Sequence, residues 1–132
     1  MLLAAAFMFL WALLLGVMKY RQILGSDQGQ AHPYTDIAHR AALLYSFALL
    51  LVATFVELSG FGTVINLVAA SALAVYFFIS VAGYNFHGWR RDTDNQFRDP
   101  ASWMRLFMIS LIVAEIGGWL VLTAGFLDGQ VL

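Results

Sequence analysis

The sequence predicts an all-α integral membrane protein, a bundle of four transmembrane helices forming one domain over residues 1–132. Three observations predict it. First, the 132-residue chain is 61% hydrophobic and 11% charged, with a mean hydropathy of +0.78. A soluble domain of this size has too little interior to hide that much apolar surface. Second, the apolar residues fall into four long stretches, about 2–22, 37–58, 63–86 and 103–126. Each is long enough to cross about 30 Å of hydrocarbon at roughly 20 residues per span. Third, the stretches are continuous rather than alternating. Of the two architectures that satisfy backbone groups in lipid, that pattern selects helices over barrel strands.

The first stretch lacks a basic leading segment and is too long for the apolar part of a signal peptide, so a retained helix is expected. It ends near "KYRQILGSDQGQ", where Gly25, Ser26, Asp27 and Gly29 interrupt it. Thr35 or Asp36 reads as the N-cap of the second helix. That helix stops at "ELSGFGT", a turn short enough to make helices 2 and 3 an antiparallel hairpin. "HGWRRDTDNQFRDP" reads as a polar loop, and Asp99-Pro100 as a cap with proline at the first helical position, opening helix 4. Ala12 and Gly16, and Ser110, Ala114 and Gly118, are spaced by four, which lets backbones approach closely. Such contacts serve a monomeric bundle or a homo-oligomer equally well. No internal repeat, soluble domain or low-complexity segment is evident.

Charge placement predicts orientation. The seven basic residues are Lys19, Arg21, Arg40, Arg90, Arg91, Arg98 and Arg105. All lie in the 1–2 loop, the 3–4 loop or the helix ends beside them. The positive-inside rule then puts both long loops in the cytoplasm and both termini outside, with a bacterial inner membrane as the expected setting. Trp89 and Trp103 mark that interface and Trp119 the opposite one. The chain has no cysteine, which excludes disulfides, thiolate catalysis, zinc–cysteine sites and iron–sulfur clusters. A net charge of −1 gives no reason to expect nucleic acid as a partner. No nucleophile elbow, phosphate loop or HExxH motif occurs.

Polar groups inside a span are costly and therefore mark candidate sites. In "TDIAHRAALLYSF", residues 35–47, His39 and Arg40 open an otherwise apolar helix. On helix 3, Tyr76, Ser80, Tyr84 and His87 follow at steps of four, four and three, one stripe within about 80° of arc. The stripe is either a hydroxyl-bonded packing face or the wall of a polar pocket opening toward the cytoplasmic loops. His39 and His87 lie at similar depth on antiparallel neighbours, with Tyr20, Tyr84 and Asn85 at the same level. Two imidazoles so placed are candidate haem ligands, although a histidine near a helix end is often simply interfacial. His32 reads as a solvated loop residue. Arg40 either snorkels to lipid phosphates or pairs with an anionic group such as a haem propionate. Glu57 reaches the outer interface. Glu115 sits near the middle of helix 4, where a hydrogen bond from a tyrosine or Asn66, or a proton-transfer role, is expected.

These residues carry a resemblance. The chain resembles styrene oxide isomerase and its hydroxylaminobenzene mutase relatives, small four-helix membrane isomerases, from about residue 8 to residue 97. The carriers are "AH" at 38–39, "LSGF" at 58–61, "VAGYNF" at 81–86 and "NQF" at 95–97, colinear and without gaps. The resemblance implies a homotrimer with haem b between adjacent subunits and His39 as the iron ligand. It implies Tyr84 as an active-site tyrosine and a ferric iron acting as Lewis acid toward an epoxide oxygen, permitting a 1,2-hydride shift to an aldehyde. Tyr45 stands where the family has an asparagine six residues past the histidine, and joins Tyr84 as a catalytic candidate. Tyr76 and Ser80 replace an acidic residue and an asparagine on helix 3.

The leading expectation is thus a haem-dependent membrane isomerase of a small apolar, aromatic substrate. Its candidate residues are His39 as metal ligand, Arg40 and His87 as further cofactor contacts, and Tyr84 and Tyr45 as catalytic groups. Two alternatives stand beside it: a bis-histidine haem protein using His39 and His87, and a cofactor-free accessory subunit of a membrane complex. A glutathione-using enzyme of the eicosanoid-enzyme type is weaker, because its arginine–asparagine–glutamate pattern is missing from helix 2.

Overall fold

The computed structural model describes residues 1–98, 100 and 102–131. It contains four helices: α1 (Leu2–Leu24), α2 (Pro33–Leu58), α3 (Thr63–Arg90) and α4 (Ser102–Gln130). Each is long and apolar enough to cross a membrane. α2 touches the other three; α1 packs chiefly on α2, and α4 packs on α3 and α2 without reaching α1. The bundle is therefore a packed trio of α2, α3 and α4 with α1 laid against α2, rather than a closed square.

The predicted boundaries of α2 and α3 need correction, and both corrections have a physical cause. α2 begins at Pro33, four residues before the predicted start. His32 is its N-cap, accepting from the Tyr34 amide through Nδ1 at 3.3 Å. Pro33 fills the first helical position, where its missing N–H costs nothing and its fixed φ is already helical. Thr35 and Asp36 are therefore first-turn residues and not caps. Their amides donate to the His32 carbonyl at 2.9 and 3.1 Å. α3 runs past Phe86 to Arg90 and stops at Arg91, which adopts the left-handed conformation (φ 54°) and donates its amide to the His87 carbonyl at 2.8 Å. The extra turn is held from outside the helix. Gln22 at the end of α1 donates to the Gly88 carbonyl at 3.1 Å and accepts from the His32 amide at 2.9 Å. Gly88 itself faces the Thr35 backbone closely enough to exclude a side chain. The Asp99 cap lies outside the described residues; α4 is helical from Ser102.

At the opposite end, α4 extends to Gln130, whose side chain donates to the Leu58 carbonyl at 3.0 Å. The Gly60 amide donates to the Gly125 carbonyl at 2.8 Å. Met1 borders the same turn, beside Ser59 and Phe61. Both ends of the described chain thus meet at the 2–3 turn, and the two long loops share the other end.

The core is small-residue packing. Ala5 and Ala12 of α1, Ala38 and Ala42 of α2, and Ala69, Ala70 and Ala74 of α3 are buried, with Met8, Leu15, Leu49, Val52 and Leu122 between them. In lipid, helices gain little from hiding apolar surface from one another, so close van der Waals contact between small residues holds them together. The outward faces remain apolar, from Leu3 and Phe7 to Val64, Leu106 and Leu120. A water-soluble monomer does not carry such a surface. α4 contributes only Gly118, Leu122 and Gly125 to the interior.

Candidate functional site

The ring of His39 turns inward across the α1–α2 seam. Its Nδ1 lies 2.9 Å from the Ala12 carbonyl oxygen. A carbonyl only accepts, so Nδ1 carries the proton and donates, and in the neutral ring the lone pair is then on Nε2. This is how a metal-ligating imidazole is usually oriented: one nitrogen donates to the protein and the other is free to bond the metal. Gly16, one turn beyond Ala12, makes room for the ring. A Cβ at Gly16 would sit 3.1 Å from His39 Cε1 and 3.5 Å from Nδ1. The four-residue spacing of Ala12 and Gly16 is legible as a close-approach signal, and the object that approaches is an imidazole.

Arg40 points away from this seam and is exposed; its Nε pairs with Asp36 Oδ2 at 3.2 Å. Lys19 of α1 pairs with Asp36 as well, so an ion cluster ties α1 to the first turns of α2 at the loop end of the bundle.

His87 lies elsewhere. Its Nδ1–H donates to Asp92 Oδ1 at 2.8 Å, and its ring packs against Tyr34 at 5.4 Å between centroids. The Asp92 carboxyl is held below the usual carboxylate range, first by that hydrogen bond and then by the charges of His87 and Arg90. His39 and His87 share no partner, and the structure brings no group to bridge them. Tyr20 is exposed and takes no part in either environment.

The stripe on α3 faces α4. Tyr76 donates to Ser110 Oγ at 2.8 Å, and Ser110 donates onward to the Phe107 carbonyl at 2.8 Å. This end of the stripe is a hydroxyl-bonded packing contact. Toward the loops the same stripe opens. Ser80, Tyr84 and His87 line a cavity of about 480 Å³ with Phe86, Trp103 and Phe107, and Gln96 of the 3–4 loop borders it. One face of one helix thus divides: it packs through hydroxyls at its middle, and at its end it lines a cavity that is mostly apolar where a polar pocket was the alternative expected.

Tyr34 is the residue that sequence reasoning missed. It is 5% exposed, stacks on Tyr84 at 6.1 Å and on His32 at 6.2 Å, and accepts from the Gln96 amide at 2.8 Å. It holds the 3–4 loop over the cavity. Its place directly after Pro33 was its only signal.

Tyr45 stacks flat on Phe77 of α3, centroids 4.2 Å apart and planes 5° from parallel. Glu115 faces a second, apolar cavity bordered by α2, α3 and α4. Its Oε1 is buried and has no hydrogen-bond partner among the described residues. The expected hydrogen bond from Asn66 is not made: Asn66 Nδ2 donates to the Phe61 carbonyl at 2.9 Å. Trp119 stacks on Phe55 at 4.7 Å and lines the Glu115 cavity.

Among the described residues no three His, Asp or Glu side chains cluster as a caged metal ion would require. The fold defines the class: an all-α bundle of four helices, each long and apolar enough to cross a membrane. No family model, curated protein or solved structure matches the chain.

Proposed function

We propose that the chain is a haem-b-binding membrane isomerase acting on a small apolar, aromatic epoxide-like substrate, assembled as a homotrimer. His39 is the iron ligand. In this reading the 1–2 and 3–4 loops are cytoplasmic in a bacterial inner membrane, in keeping with the clustering of all seven basic residues toward them. The observation that carries the reading is the hydrogen bond from His39 Nδ1–H to the Ala12 carbonyl at 2.9 Å, which frees Nε2 as a donor to iron.

Ferric haem held at His39 would supply Lewis acidity to a substrate oxygen. The chain's own residues do the rest. The Ala12 carbonyl and Gly16 keep the imidazole in one tautomer and one rotamer. The cavity between α3 and α4 has the size and the aromatic lining of a site for a small apolar ligand, which partitions into the bilayer before it binds. Tyr84 stands in that wall with Ser80 and His87, and its hydroxyl is the group that orients a ligand oxygen. Tyr45, stacked flat on Phe77, stiffens the α2–α3 seam. His39 belongs to the α1–α2 pair and the cavity to the α3–α4 pair. A site using both is completed by a neighbouring copy, which is the reason a trimer belongs to the proposal. Arg40, exposed beside His39 in sequence, is available to a propionate at such a junction.

The test is the absorption spectrum of the detergent-purified, haem-supplemented protein beside a His39→Ala variant. A Soret band in the wild type that is lost in the variant supports the proposal. A wild-type protein without a Soret band overturns it.

A further inference from the structure

Glu115 is the feature that the isomerase reading leaves unused. It stands near the middle of α4, the helix Ser102–Gln130, where an uncompensated charge is expensive and an ionisable residue is retained for a partner. Among the described residues no Lys, Arg or His pairs with it, and the chain's basic residues all lie toward the loop end. Its Oε1 is buried without a hydrogen bond. Glu115 borders a cavity of about 370 Å³ whose other lining is aliphatic or aromatic, including Val52, Leu73, Phe77, Ile116 and Trp119. No residue of α1 takes part, so this site is separate from His39.

We infer that this cavity binds a lipophilic organic ammonium ion, with Glu115 as its counter-ion. Three features select that class over a neutral ligand. Glu115 is the single ionisable group in the wall and, among the described residues, has no counter-charge. Two aromatic side chains, Phe77 and Trp119, stand in the same wall, and aromatic faces attract an ammonium through their quadrupoles. The remaining walls are aliphatic and suit hydrocarbon substituents. Access is from the bilayer, because Ile116 and Leu120 at the rim are 59% and 61% exposed. An ammonium with an apolar body reaches that depth in lipid, whereas a hydrated inorganic cation does not.

The test compares benzyltrimethylammonium with its neutral carbon isostere, neopentylbenzene, by calorimetric titration into the full-length protein, corrected against empty micelles. The two probes share shape and differ in charge. The wild type is expected to bind the cation at least about tenfold more tightly, a factor that one well-placed charge contact readily supplies. Glu115→Gln is expected to abolish that preference while leaving binding of the neutral probe unchanged, and Glu115→Asp to keep it. Equal or weaker binding of the cation by the wild type overturns the inference, as does a preference that survives Glu115→Gln. Should the glutamine variant fail to fold, the wild-type comparison alone decides.

Discussion

The two flanks of the bundle are built on opposite plans. On one, α1 and α2 meet through Ala12, Gly16, Ala38 and Ala42, so closely that a Cβ at residue 16 would crowd the imidazole ring at 3.1 Å. On the other, α4 rests on α3 and α2 and leaves two cavities of about 370 and 480 Å³. It also leaves a buried carboxylate oxygen unpartnered. The tight flank fixes one functional group in one state. The loose flank leaves volume and unmet hydrogen-bonding capacity. In a bilayer both are stable, since neither gains much from excluding solvent. The difference is one of side-chain size at the seam, and it separates holding a group from receiving a ligand.

The sharpest way to break the contrast is to fill the tight seam. Gly16→Leu places a branched side chain where the His39 ring lies. Overpacking of this kind typically costs about 1–3 kcal/mol. It is expected to lower the thermal midpoint in detergent and to remove the Soret band together with it. Gly117→Leu, at a helical glycine with open space beside it, is the control and leaves the Soret band in place. A Gly16→Leu protein with wild-type stability and spectrum would show that the ring is not confined by α1.

The loose flank responds in the opposite direction. Glu115→Leu replaces a costly intramembrane acid by an apolar group of similar size. On insertion scales the acid alone costs about 2.5 kcal/mol or more at a helix centre. The variant is expected to melt at a higher temperature than the wild type, a gain of stability at the expense of a binding group. Destabilisation would instead mean that Glu115 already has a structural partner.

The smallest effect lies at the loop end, outside the span. Asp92 is depressed in the folded chain by its hydrogen bond from His87. A carboxyl whose folded pKa lies below its ordinary value of 3.8 contributes stability above that value, and the contribution disappears as pH falls through the folded pKa. The His87 ring resonances should therefore shift as pH drops below about 4, as the contact is lost. Asp92→Asn should flatten that step, while an unchanged profile would remove Asp92 as the partner. Being fully solvated, the contact contributes little to global stability.

What the sequence made legible follows from the same physics. Four spans were readable because hydropathy over some 20 residues is a bulk property of the chain. Their ends were less so. Pro33 and the His87–Arg90 turn look like loop by composition, but their helical state depends on His32 capping locally and on Gln22 reaching from α1. Within the site, His39 and Glu115 stood out because polarity in a span is a local fact. The identity of their neighbours was not legible. That Gly16 faces a ring, that Tyr34 closes over Tyr84, and that Trp119 lines the same cavity as Glu115 are all consequences of tertiary contact. The stripe from Tyr76 to His87 was readable as one face, while its division into a bonded half and an open half depends on where α4 crosses it.

The most direct test of the central claim supplies the missing ligand from solution. The haem-supplemented His39→Ala protein, titrated with free imidazole, is predicted to recover the wild-type Soret band as the added ring occupies the space beside Ala12 and Gly16. A His39→Ala protein whose spectrum already equals that of the wild type before imidazole is added would contradict the account, because the iron would then be held by some other group.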